Sequence, residues 1–88
     1  MYKTRFKTSV KTSNSLIEAD GYSSIRVTNT GDETITINDN IQLATTKEWF
    51  WKNDPGVLVD VPVYVSFAGG GANPKALIEQ YYFQEVKK

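Results

Sequence analysis

This chain of 88 residues contains no cysteine and no histidine, and its ten Lys and Arg residues are matched by ten Asp and Glu. Without Cys there is no disulfide staple, and without Cys and His the common zinc sites and thiol or imidazole catalysis are excluded. We therefore expect no metal and no cofactor. A formal charge of +0 argues against a nucleic-acid partner, which would call for a positive field. No run of about 18 apolar residues is present, as a membrane-crossing helix would need. The first residues, Met1-Tyr-Lys-Thr-Arg-Phe-Lys7, lack the apolar stretch of a secretion signal. These features lead us to expect a soluble product of a cytoplasm, with no membrane partner. Low-complexity tracts, internal repeats and Asn-x-Ser/Thr acceptors are also missing.

The length fits one domain covering residues 1–88. A chain this short buries only about 60% of the surface its unfolded form exposes, so its own stability is modest. Contacts with neighbouring subunits would add to it by mass action.

What the sequence has in quantity is alternation. From 2 to 11, Tyr2, Thr4, Phe6, Thr8 and Val10 occupy one side of a pleated strand, and Lys3, Arg5, Lys7, Ser9 and Lys11 the other. Its basic side is read either as a solvated face that discourages edge pairing or as a docking strand for an acidic partner surface. Leu16 to Ala19 forms a short strand before the Asp20-Gly21 turn. Ile25 and Val27 then alternate with Arg26 and Thr28, and Ile35 and Ile37 with Thr34 and Thr36. Asn29, Gly31 and Asp32 between these runs tolerate positive φ or bond their own backbone, which predicts a central hairpin. Asn38-Asp39-Asn40 reads as an Asx turn, because the spaced ligands of a calcium loop are absent.

Further along, Trp49 and Trp51 share one face of the run Glu48–Lys52, with Phe50 on the other. Pro55 and Gly56 suit the centre of a type II turn, Val57-Leu-Val59 is a short apolar run, and Pro62 starts or edges the strand Val63–Phe67. Gly69, Gly70 and Gly71 mark either a flexible loop or a place where another backbone comes close. A phosphate cradle is disfavoured, because no Lys-Ser/Thr pair closes the glycines. For 75–86 a helix capped by Asn73 and Pro74 competes with a strand, and Tyr81-Tyr82-Phe83 favours the strand. Together these runs predict an all-β fold of seven or eight short antiparallel strands, a small sandwich or barrel, Ig-like or jelly-roll-like.

Catalytic constellations are thin. Asp54 and Asp60 flank a turn region, but nothing in the sequence brings them together in a cleft, so we expect no enzyme. Aromatic residues are the richer signal, since Trp and Tyr anchor interfaces through large faces of low rotamer cost. Trp49, Trp51 and Tyr64 could stack on sugar rings, which gives carbohydrate binding as the alternative function.

The residues from Tyr22 to Leu43 carry a resemblance. Ser24-Ile-Arg-Val-Thr-Asn-Thr-Gly-Asp32, Thr34-Ile-Thr-Ile-Asn38 and Ile41-Gln-Leu43 resemble the small β-modules of tailed-phage virion proteins, and the same stretch is similar to bacterial Ig-like domains. Where many such modules have Asn-Gly this chain has Asn38-Asp39-Asn40, and Ala44-Thr-Thr-Lys47 replaces a Pro-Gly before Glu48 and Trp49. The resemblance covers about a quarter of the chain. It implies a non-enzymatic virion accessory subunit, a capsid decoration or head and tail protein present in many copies. Its partners would be capsid or other virion proteins and further copies of itself. The residues expected at the contacts are Lys3, Arg5, Lys7, Trp49, Trp51, Tyr64, Gly69, Gly70 and Gly71.

Overall fold

In the computed structural model, strand β1 (Tyr2–Lys11) runs antiparallel to β8 (Ala76–Glu85) through ten residue pairs, from Tyr2↔Glu85 to Lys11↔Ala76. The structure describes residues 2–54 and 57–85, and their side chains over 4–54 and 57–82. The other side of β8 holds β3 (Ser24–Asn29), which pairs in turn with β6 (Glu48–Lys52). A second sheet contains β2 (Ser15–Ile17), β4 (Ile35–Ile37), β5 (Ile41–Leu43) and β7 (Val63–Phe67). The two sheet orders are β1-β8-β3-β6 and β2-β7-β4-β5, and no helix occurs among the described residues.

Alternation explains why the two sheets meet. Ile25, Val27, Ala76 and Ile78 from the first share one buried cluster with Ile17, Ile35, Ile37, Leu43, Val63 and Val65 from the second. Side chains at alternate positions point to one face, so each sheet presents an apolar inner surface that only the other covers. Tyr22 and Val59 close one end of the cluster, where the Val59 N–H donates to the Tyr22 carbonyl at 2.9 Å. Fully burying a Val, Leu or Ile contributes about 1.5–3 kcal/mol, so this cluster is the main term holding the sandwich.

The expected all-β sandwich is what the chain forms, and residues 76–85 are strand. The central hairpin is not. β3 lies in the first sheet and β4 in the second, so the Asn29–Asp32 segment carries the chain from one sheet to the other. The turn residues are the same for both tasks; what decides is that the apolar faces of the two runs are buried on opposite sides of the core. The neighbouring hairpin does form at β4–β5, where Ile37 pairs with Ile41 around Asn38-Asp39-Asn40. Asn38 and Asp39 take φ of 51° and 63°, the left-handed region that Asn and Asp tolerate. Strands β1 and β2, β2 and β3, and β3 and β4 all change sheet, so the wiring is jelly-roll-like; an Ig-like sandwich would set its first two strands side by side.

The segment after β6 completes the core without adding a strand. Val57-Leu-Val59 forms no strand; only Val59 enters the core, leaving Val57 and Leu58 exposed. The type II turn expected at Pro55 and Gly56 lies outside the described residues, although the Val57 N–H donates to the Asp54 carbonyl at 3.0 Å across it.

β3 pairs with β8 only over Ala76–Tyr81, so beyond that point β1 and β8 continue as a two-stranded ribbon. At about 3.3 Å per residue the four residue pairs of this ribbon extend the sheet by about 13 Å, in a molecule measuring 52 × 19 × 17 Å.

Candidate interaction surface

Register fixes which way β1 faces. Lys7, Ser9 and Lys11 stand opposite Gln80, Ile78 and Ala76, all three buried, so the basic row lies on the core side of its sheet. Phe6 and Val10 look outward instead, at 64% and 54% exposure. This reverses the simplest reading of an alternating strand, and the reason is coverage. The strand facing β1 across the sandwich is β2, three residues long, too short to roof a strand of ten. Core-side positions of β1 therefore stay wet, and Lys there costs little. Arg5 and Lys7 are exposed as expected; the Lys3 side chain lies outside the described residues.

Between β1 and β2 the edge of the sandwich opens into a groove of about 310 Å³, lined in part by Lys7, Lys11, Leu16, Ile17, Glu18 and Gln80. At its end Asp20 organises a polar cluster. The Lys7 ammonium lies 3.8 Å from its carboxylate, and the Tyr82 hydroxyl donates to it at 2.9 Å. Tyr22 meets the Tyr82 ring edge-on, with centroids 6.3 Å apart. Burial, and then the negative charge of Asp20, push the Tyr22 phenol up to about 12. Burial also pushes Tyr82 up to about 12, helped by the hydrogen bond to Asp20, with Arg5 pulling the other way.

The outer face of the first sheet carries an aromatic row that sequence reading missed. Phe6 packs on Tyr81 at 5.9 Å between centroids, Tyr81 on Phe50 at 6.2 Å, and the Arg26 guanidinium lies 4.8 Å from the Phe50 centroid. Arg26 also approaches Glu48 and Glu79, each at 4.0 Å. These aromatic residues come from β1, β6 and β8, so only the pairing register could have assembled them. Period-2 alternation does put each on a strand's outer side, which is the one signal the sequence offered.

The other expected contact residues are scattered. Trp49 and Trp51 stand opposite Val27 and Ile25, which puts both on the core side at the β6 edge. Trp49 packs against the core, half-buried, and Trp51 is 38% exposed with its Nε1–H donating to Asn53 Oδ1 at 3.2 Å. The two rings meet at 75°, so they offer no flat platform. Tyr64 alternates with buried Val63 and Val65 and therefore faces outward from the second sheet. The sugar-stacking triad of Trp49, Trp51 and Tyr64 is not assembled.

The glycine loop is likewise committed internally. Glu33 accepts the Gly69 and Gly71 N–H groups at 2.7 and 3.0 Å, and Asp32 accepts those of Ala72 and Asn73 at 2.9 and 3.0 Å. Gly69 and Gly70 have φ of 94° and 90°, and a side chain at Gly71 would strike Glu33 and Asp32. What comes close at these glycines is a pair of carboxylate side chains, not the other backbone that the sequence allowed. Its N–H groups, which could have cradled an anion, already hold the chain's own carboxylates.

Among the described residues no group of three or more His, Cys, Asp or Glu is placed to hold a metal ion, and no helix is long and apolar enough to cross a membrane. The chain matches no family model, no curated protein and no solved structure.

Proposed function

We propose that this chain is a non-enzymatic interaction module of a multi-copy assembly, a tailed-phage virion accessory subunit of the capsid-decoration or head and tail kind. Jelly-roll-like sandwiches serve viral capsid subunits and lectins alike, so the fold by itself selects neither. The aromatic row of Phe6, Tyr81 and Phe50 carries the choice. Contiguous apolar side chains on the outer face of a sheet, rimmed here by Arg26, Glu48 and Glu79, are a common mark of protein contact. The lectin alternative loses its best support, because the rings it would use lie on different surfaces.

On this reading the partners are virion proteins and further copies of the chain, and the subunit is located on the particle. Size-exclusion chromatography with light scattering tests it, on the chain alone and after mixing with purified particles. Oligomers or co-elution with particles are expected. A monomer that ignores particles would refute the assembly reading, and a glycan array would then take up the alternative.

A further inference from the structure

Among the described residues, strand β1 has a neighbour on one side only. It is an edge of the first sheet, ten residues long, with β8 along its whole inner flank. At about 3.3 Å per residue it offers roughly 33 Å of backbone donors and acceptors to a further strand. The other sheet edges, β2, β5 and β6, have three, three and five residues. No proline or bulge interrupts the β1 register.

We propose that β1 is a docking edge which an extended acidic segment of a partner protein joins as an added strand. The proposal rests on the reading of the chain as an interaction module and specifies how its partner is held. Charge decides the occupant. Arg5, Lys7 and Lys11 all fall on one side of the strand by alternation. Pairing β1 with β1 of a second copy would set cations against cations, which is destabilising. None of the chain's other edge strands, Ser15–Ile17, Ile41–Leu43 or Glu48–Lys52, carries alternating carboxylates, so a second copy has no strand to supply.

A segment with Asp or Glu at every second position meets the basic row face on. Its carboxylates come to lie over the groove where Lys7 and Lys11 flank Leu16 and Ile17. Glu18 and Asp20 border the same groove, and Asp20 already engages Lys7 and Tyr82, so the acidic side chains are directed toward Arg5 and Lys11. The intervening residues of the segment turn to the outer face, beside Phe6 and Val10, and apolar side chains suit that position. Main-chain bonds then supply affinity and the alternating side chains supply selectivity, as in other strand additions.

The test uses the full chain and a synthetic peptide of alternating Glu and Val, about nine residues long to match β1. Calorimetry is expected to show binding that weakens with added salt and falls at least tenfold for Arg5→Gln/Lys11→Gln, a variant that leaves the Lys7–Asp20 contact in place and whose fold is checked by circular dichroism. Two further peptides are N-methylated at alternate backbone positions, one in each phase. Strand addition requires one phase to abolish binding while the other preserves it; binding retained by both would overturn the proposal. An alternating Lys and Val peptide binding equally well would also overturn it. Particle co-elution unaffected by Arg5→Gln/Lys11→Gln would leave the assembly reading standing and remove the β1 edge from it. Peptide binding without particle co-elution would support the edge and remove the virion reading.

Discussion

Replacing Asn29 by Asp changes one atom group and should cost much of the stability of this fold. Asn29 is fully buried where the chain passes from one sheet to the other. Its Nδ2 donates to the Glu33 and Leu43 carbonyls at 2.6 and 2.9 Å, and its Oδ1 accepts the Gly31 N–H at 3.1 Å. The backbone of the same residue bonds Lys47 and Thr46, each at 2.9 Å. The side-chain amide thus ties the 31–33 segment to Leu43 of the second sheet. In Asn29→Asp an oxygen replaces the donor nitrogen and faces two carbonyl oxygens across the same short distances. Each buried carbonyl left unpaired costs about 1–3 kcal/mol, and repulsion from a charged carboxylate adds to that, so a loss of about 4 kcal/mol or more is expected at pH 7. A domain of this size loses about 4–8 °C of Tm per kcal/mol, which makes the shift at least about 16 °C. Protonation returns one donor to the site, so the folded state raises the introduced carboxyl's pKa above its unfolded value of about 3.9. The defect is therefore smallest below pH about 4 and grows as pH rises. Urea titrations followed by Trp49 and Trp51 fluorescence, at pH 4 and pH 7, measure both effects. Asn29→Asp within about 1 kcal/mol of wild type at pH 7 would falsify the claim that this amide joins the two sheets.

Gly31 lacks a positive φ; its need for glycine comes from the 73–75 backbone, which a Cβ would strike at Lys75 N, Asn73 O and Pro74 C. Gly31→Ala should therefore cost about 1–3 kcal/mol or more, whereas Gly21→Ala, with φ of 103° and open space around it, meets only the left-handed strain of about 1–2 kcal/mol; equal and negligible losses in urea titration would refute both accounts. Glu33→Gln puts an amide where two N–H groups converge, so hydrogen exchange should accelerate at Gly69 or Gly71, with about 1–3 kcal/mol lost; unchanged protection would show that the carboxylate does not hold the loop. Tyr22 and Tyr82 titrate near 10 when unfolded and about 12 when folded, so the stability they contribute is complete below pH about 10 and drains away between about 10 and 12. The Tyr22 hydroxyl finds no hydrogen-bond partner among the described residues, so Tyr22→Phe should leave neutral-pH stability equal or higher and flatten the alkaline limb; an alkaline limb as steep as wild type would count against the assignment.

Strand positions were legible because each apolar run keeps its period. The inner faces of β3, β4 and β7 can be read directly from Ile25, Val27, Ile35, Ile37, Val63 and Val65. Pairing was not legible. Asn29-Thr-Gly-Asp32 is written in the same residues as a hairpin turn, and only the pairing of β3 with β8 and β6, and of β4 with β7 and β5, shows that it is a crossover. The orientation of β1 escaped for a related reason, since alternation tells two faces apart but coverage tells which one is inside. Tyr22 lies before β3 and was not legible as core, because the ring it packs against, Tyr82, lies 60 residues away in sequence. The role of Glu33 was invisible for the same cause, with its bonds reaching Gly69 and Gly71 across the molecule.

The two ends of the sandwich are built to different rules, and that difference bears on where a partner docks. At one end Asn29, Asp32 and Glu33 spend their polar atoms on other loops, and the glycines that looked free are already bonded. Surface so thoroughly satisfied has little to gain from a ligand, because any new hydrogen bond must replace an existing one. At the other end β1 and β8 leave the sandwich as a ribbon, and along β1 the backbone on the open side pairs with no strand among the described residues. There an incoming strand adds bonds without breaking any within the chain. Phe6, at 64% exposure, loses water on the same contact. Both terms favour the β1 edge over the glycine loop as the place where this protein holds its partner.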